Sequence, residues 1–136
     1  MSGKKRNWNE DLPLGDVRGF NVHSGKQQWV FNTVPQAGEF GNDTWGNESW
    51  RWMGNTNVWS MMSCDAELGH IYLPVTAPTQ HYYGGARPGN NLFSDAVVAL
   101  DAQTGERFLH LHTLHPDITE SDLPAAHVVS DVEIDG

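Results

Sequence analysis

The strongest constraint on this chain is a hairpin written twice. Residues 19–29 overlay residues 98–109 when Gly25 is set on Gly105. Each copy reads as a strand, an Asx residue (Asn21 or Asp101), two spacers, Ser24-Gly25 or Thr104-Gly105, a charged residue and a second strand. The turn chemistry explains the residue types. An Asx oxygen accepts backbone N–H groups, and glycine takes a positive φ at low cost. Recurrence of one hairpin after eighty residues (25 to 105) predicts stacked sheets.

The remaining punctuation agrees. Fourteen glycines, seven prolines and six tryptophans leave no long stretch of apolar residues at helical spacing with proper caps, so the chain reads as all-β. The predicted strands are residues 17–22, 28–33, 57–60, 70–75, 96–100, 108–113 and 128–134, each short, rich in β-branched or aromatic residues and bounded by turn formers. Residues 35–54 and 78–91 are long, aromatic loops. Such loops either carry a binding site on an all-β scaffold or pack against neighbouring sheets. The 136 residues fit one domain, which would bury roughly two thirds of its unfolded surface.

A formal net charge of -9 works against a nucleic-acid backbone or an anionic membrane surface as partner, although much of the acid lies between Asp117 and Asp135 and reads as a solvated segment. The single cysteine, Cys64, excludes an internal disulfide framework and any CxxC site. Basic residues near Met1 are followed by Asn9-Glu10-Asp11 where an export signal needs an apolar run, and no stretch is apolar enough to span a membrane. Neither an export signal nor an anchor is expected in these residues.

The hairpin Asp101-Ala102-Gln103-Thr104-Gly105-Glu106-Arg107 resembles the tryptophan-docking motif of the quinoprotein dehydrogenases, A-x-D-x-x-T-G-x-x-x-W. The strings Gly38-Glu39-Phe40-Gly41-Asn42-Asp43-Thr44-Trp45, Asn55-Thr56-Asn57-Val58-Trp59-Ser60, Ile71-Tyr72-Leu73-Pro74-Val75 and Tyr82-Tyr83-Gly84-Gly85 are similar to the membrane-bound glucose and polyol branch of that family. The absent vicinal cysteine pair disfavours the methanol-type branch. The resemblance implies an all-β fold, a partial β-propeller of about two blades out of about eight, over residues 15–136 behind an irregular segment 1–14. It also implies pyrroloquinoline quinone (PQQ) with calcium or magnesium, and a sugar or polyol substrate. Electrons would pass to a membrane quinone at the periplasmic face of the membrane. The missing blades, or self-association, would cover the exposed blade faces.

In that family docking tryptophans pack one blade on the next. Trp29 occupies the position in the first hairpin, while Leu109 replaces it in the second. Trp59 matches the tryptophan beneath the cofactor plane, and Asn57, two residues earlier and so on the same face of a strand, matches a cofactor hydrogen-bonding position. Ala77, eighteen residues beyond Trp59, stands where methanol-type relatives place a metal-binding asparagine, leaving Thr76 and Thr79 as the nearby oxygen donors for a hard cation. In the family's T-x-H-H-D-L-W-D-x-D-L-P-A segment, Glu120 replaces the aspartate implied as general base and Thr119 the tryptophan before it, while His115 matches a family histidine. Asp117 and Asp122 match family positions best read as structural.

Arg87 either meets a cofactor carboxylate or braces its turn. His110, His112 and His115 have spacing compatible with zinc but no second cluster to complete the site. Asn42-Asp43-Thr44 and Asn47-Glu48-Ser49 match the glycosylation pattern, which is common by chance. Two readings follow. One is a part of a PQQ-dependent dehydrogenase oxidising a sugar or polyol alcohol; the other is a non-catalytic propeller remnant or assembly module, favoured by Ala77, Leu109, Thr119 and Glu120.

Overall fold

The computed structural model describes residues 13–79, 83–113, 123, 125–130 and 132–134. Two antiparallel sheets account for its strands. The first is the hairpin β1 (Val17–Phe20) and β2 (Gln27–Phe31). The second is a four-stranded meander of β3 (Ser63–Asp65), β4 (His70–Val75), β5 (Ala96–Asp101) and β6 (Arg107–His112), in that order across the sheet. Since β1–β2 repeats β5–β6, the described residues form one four-stranded blade and the last two strands of another. The expected all-β partial propeller is the observed architecture, with one sheet complete and one half-represented.

The two turns match bond for bond. Asn21 Oδ1 accepts from the amides of His23 and Ser24 at 3.1 and 2.9 Å and from the Ser24 hydroxyl at 3.0 Å. Asp101 Oδ1 accepts from the amides of Gln103 and Thr104 at 2.9 and 2.8 Å and from the Thr104 hydroxyl at 3.0 Å. Gly25 and Gly105 sit at φ 66° and 74°, where a Cβ would be strained. The ladders also shift register at equivalent places, between Gly19 and Phe20 and between Ala99 and Leu100. One chemical difference separates the turns. The Thr104 amide, then its hydroxyl and the Gln103 amide, hold the Asp101 carboxyl below its ordinary pKa, whereas Asn21 does not titrate.

Trp29 joins the sheets. Its Nε1 donates to the Ala102 carbonyl at 3.0 Å, across 73 residues of sequence. Its ring lies between two glycines: a Cβ on Gly105 would come within 2.6 Å of the indole, and one on Gly19, its ladder partner, within 2.2 Å. The tryptophan therefore docks on the turn of the following blade because that turn presents bare backbone. Behind it, Leu73, Val75, Phe93, Ala96, Val98 and Leu100 form the core, against which Val17, Trp29 and Phe31 of the first hairpin pack. Burying each large aliphatic side chain contributes about 1.5–3 kcal/mol.

Two strand expectations fail. Residues 57–60 make no ladder, because the Asn57 carbonyl accepts the Thr76 amide at 3.0 Å and the Asn57 amide turns back to the Asn55 carbonyl at 3.0 Å. The strand of that region is β3, further along. The described residues of 128–134 are also unpaired, with Val128 91% and Ile134 87% exposed. β-branched composition favours a strand only where a neighbour supplies the hydrogen bonds. The aromatic loop 35–54 builds a second core: Trp45 and Met53 are 2% exposed and pack with Val34, Trp50 and Trp52.

Replacing Trp29 with alanine is expected to cost about 2 kcal/mol through lost burial and the lost N–H bond. Gly105→Ala is expected to cost a comparable amount through positive φ and collision with the indole. Urea denaturation checks both, and unchanged midpoints would show that this docking does not hold the sheets together.

Candidate functional site

The lead into β1 and the loop before β3 meet at the junction of the two blades. The Asn55 amide donates to the Pro13 carbonyl at 2.9 Å, and Gly15 approaches so closely that a Cβ there would fall 2.0 Å from the Thr56 carbonyl oxygen. This contact positions residues 54–60. Thr79 fixes the start of the loop by donating from its amide and its hydroxyl to the Gly54 carbonyl, both at 2.9 Å.

Asn57 is held from several sides. The Thr76 hydroxyl lies 3.1 Å from its carbonyl oxygen and 3.0 Å from its Oδ1, and Asn57 Nδ2 lies 3.4 Å from Asn55 Oδ1. Trp59 emerges from the same loop with 59% of its surface exposed. The structure thus places Asn57 and Trp59 on one tethered loop, although not on the strand expected for them. Next in sequence, the Ser60 hydroxyl donates to the Leu123 carbonyl at 3.1 Å, and the Ser63 hydroxyl donates to the His127 carbonyl. Leu123 and His127 are thereby tied to the chain just after Trp59.

Arg87 is bonded within its own turn. It is 2% exposed, its Nη1 donates to Asn91 Oδ1 at 2.8 Å, and its amide donates to the Gly84 carbonyl at 3.0 Å. Thr76 and Thr79 stand on either side of Ala77, with their hydroxyls turned to the backbone of the 54–60 loop. Among the described residues no three His, Cys, Asp or Glu side chains gather as a metal-binding group. Calcium takes six to eight oxygens, usually including carboxylates, and magnesium is also commonly held through carboxylates. The described residues therefore do not present a fitting cation site. Glu120, Thr119, His115, Asp117 and Asp122 lie outside the described residues.

Sequence reasoning missed Asp16. Its side chain is 9% exposed, Oδ2 lies 3.6 Å from Arg18 Nη2, and Oδ1 is buried without a hydrogen-bond partner. It borders a cleft of about 400 Å³ shared with Arg18, Asn57, Val58 and Met62. Burial raises the carboxyl's pKa more than Arg18 lowers it. In sequence Asp16 reads as an ordinary turn residue before a strand. Its neighbour Gly15 closes on Thr56, a contact distant in sequence that no local pattern announces.

The geometry suits a flat, polar ligand better than a metal. Trp59 offers an exposed aromatic surface, and Asn57 offers an amide fixed in position by Thr76. These two residues fit a stacked, hydrogen-bonded quinone.

Comparison with known proteins points the same way. Residues 2–136 match the family model described as PQQ: Glucose/ethanol/alcohol dehydrogenase, beta-propeller domain. The chain is 32% identical over 123 residues to the quinoprotein glucose dehydrogenase of Escherichia coli K12, covering 90% of this chain and 15% of that protein. It is 33% identical over 133 residues to the glycerol dehydrogenase large subunit of Gluconobacter oxydans, covering 97% and 17% respectively. The quinohemoprotein alcohol dehydrogenase structure from Comamonas testosteroni superposes with a TM-score of 0.77 at 22% identity, over 93% of this chain and 21% of that one, a likeness of fold. The corresponding enzyme from Pseudomonas putida HK5 gives a TM-score of 0.71 at 26% identity, over 82% and 18%. The chain therefore spans a small part of each relative's length.

For Asp16, whose folded-state pKa lies above its unfolded value, the linked stability is present below the unfolded pKa and lost as pH rises through the folded one. Asp16→Asn is expected to remove that loss and flatten the profile. Urea midpoints between about pH 3 and 7 test it; parallel curves for the two proteins would refute the assignment.

Proposed function

The chain belongs to the PQQ-dependent glucose/ethanol/alcohol dehydrogenase β-propeller family, and on that footing we propose that it is a segment of a dehydrogenase oxidising a sugar or polyol alcohol group. Its relatives include a glucose dehydrogenase and a glycerol dehydrogenase large subunit. The observation that carries the reading is the pairing of Trp59, 59% exposed, with the tethered Asn57 on one loop at the blade junction.

In this reading Trp59 supplies the stacking surface and Asn57 a hydrogen bond that fixes the ligand's orientation. PQQ, when bound, supplies a two-electron acceptor for the hydride of the alcohol carbon. Glu120 accepts the proton of the same hydroxyl, so that proton and hydride leave together as the carbonyl forms. Support for Glu120 comes from its place in the family's T-x-H-H-D-L-W-D-x-D-L-P-A segment, where it stands for the aspartate read as general base. No step is routed through a cation. Transfer of the electrons to a membrane quinone, at the periplasmic face, completes the proposal.

Where this copy departs from the family pattern, chemistry is expected to be slow. The extra methylene of Glu120 moves its oxygens by about 1 Å, enough to cost on the order of a hundredfold in rate. Leu109, 53% exposed where a docking tryptophan is expected, weakens the next blade contact and favours self-association of the chain on its own. A non-catalytic remnant is the competing reading, favoured by Ala77 and Thr119.

Two measurements separate them. Titrating the protein with PQQ is expected to quench tryptophan fluorescence saturably, with most of the effect lost in Trp59→Ala; a flat titration of the wild type would leave the remnant reading. In a complete ring carrying this segment, Glu120→Asp is expected to raise glucose-dependent dye reduction by as much as about a hundredfold. No gain would remove Glu120 from the role of base.

A further inference from the structure

A second cleft, apart from the Trp59 loop, lies between the end of β2 and the start of β6. It encloses about 250 Å³ and is lined by Phe31, Asn32, Glu39, Phe40, Phe93 and Arg107, among others. Three phenyl rings form its apolar side: Phe31 and Phe93 are 5.2 Å apart, while Phe40 and Phe93 are 6.3 Å apart and nearly parallel at 24°. Phe40 remains 61% exposed, so its ring is not consumed by these contacts.

The polar side is equally fixed. The Arg107 guanidinium carbon sits 4.1 Å over the Phe40 ring, and Nη1 is 3.0 Å from His110 Nδ1. Among the described residues the ion pairs are Arg18–Asp16 and Arg51–Glu48, so Arg107 faces no carboxylate partner there. Glu39 is held by other groups: Asn32 Nδ2 donates to Oε1 and the Gln36 amide to Oε2, both at 2.7 Å. The cleft therefore carries one cation and one anion that are pinned separately and do not neutralise each other directly.

That combination selects its guest. A charged molecule of either sign meets a like charge on one wall. A neutral molecule with both O–H donors and oxygen acceptors can satisfy Glu39, Asn32 and Arg107 together, while its C–H surface lies on the phenyl rings. The volume is below the roughly 300–1,000 Å³ of drug-sized sites and suits one small ring. We propose that this cleft is a binding site for a neutral polyhydroxylated small molecule of monosaccharide size. It is independent of the cofactor reading, because neither Trp59 nor Asn57 lines it.

Saturation-transfer NMR on the intact chain tests the proposal with D-glucose, gluconate and glucosamine as probes. Transfer to glucose is expected to exceed transfer to either charged analogue. Phe40→Ala and Arg107→Met are each expected to weaken glucose binding roughly tenfold, the equivalent of about 1.4 kcal/mol, with Leu68→Ala, in the exposed turn between β3 and β4, leaving it unchanged. Thermal melts verify folding, and Phe40→Leu replaces the alanine variant if that one melts early. No transfer to glucose, preference for a charged analogue, or indifference to both cleft substitutions would each overturn it.

Discussion

The rest of the structure depends on one side chain that leaves its own sheet. Trp29 belongs to β2, yet its N–H is satisfied by the Ala102 carbonyl and its ring is received by Gly105, both in the β5–β6 turn. A sheet of two strands is at best marginal in water unless it packs on something. Here the indole provides that packing, and the turn receives it because Gly105 has no side chain. The same glycine has a positive φ, so one residue meets the needs of its own hairpin and of its neighbour.

Once the sheets are docked, the junction above them is fixed. Gly15 closes on Thr56, and residues 54–60 are pinned by Thr76 and Thr79. Those hydrogen bonds explain why an apparently strand-like run is no strand: its polar groups face loop partners, and Trp59 is left projecting. Presentation of an aromatic surface by a loop tied at several points is economical. The loop needs no ladder partner, because its hydrogen bonds to Thr76 and Thr79 hold it in place.

Loops carry much of the interior as well. Trp45, Met53 and Val34 make a second cluster without strands, and Arg87 is bonded to Asn91 inside. Phe40, from the same loop region, reaches β6 instead and helps to frame a cleft with Arg107. The connection 35–54, which runs from β2 of one blade to β3 of the next, is thus a joint between blades rather than decoration on them, which accounts for its three tryptophans and one phenylalanine.

The repeated Asx-x-x-Ser/Thr-Gly turns, the strands flanking them, the all-β class and the family likeness were legible in the sequence because each depends on local chemistry: an oxygen two or three residues from an amide, or a glycine at positive φ. Trp29 was legible as a docking residue through its place in the repeated motif. Tertiary structure alone decided which glycines it would touch. It also decided that Asn57 bonds across to Thr76, that Gly15 closes on Thr56, and that Arg107 and Glu39 face one cleft without pairing. In each of those cases the partner is distant along the chain or lies on another blade, and local composition carries no record of what will be brought against it.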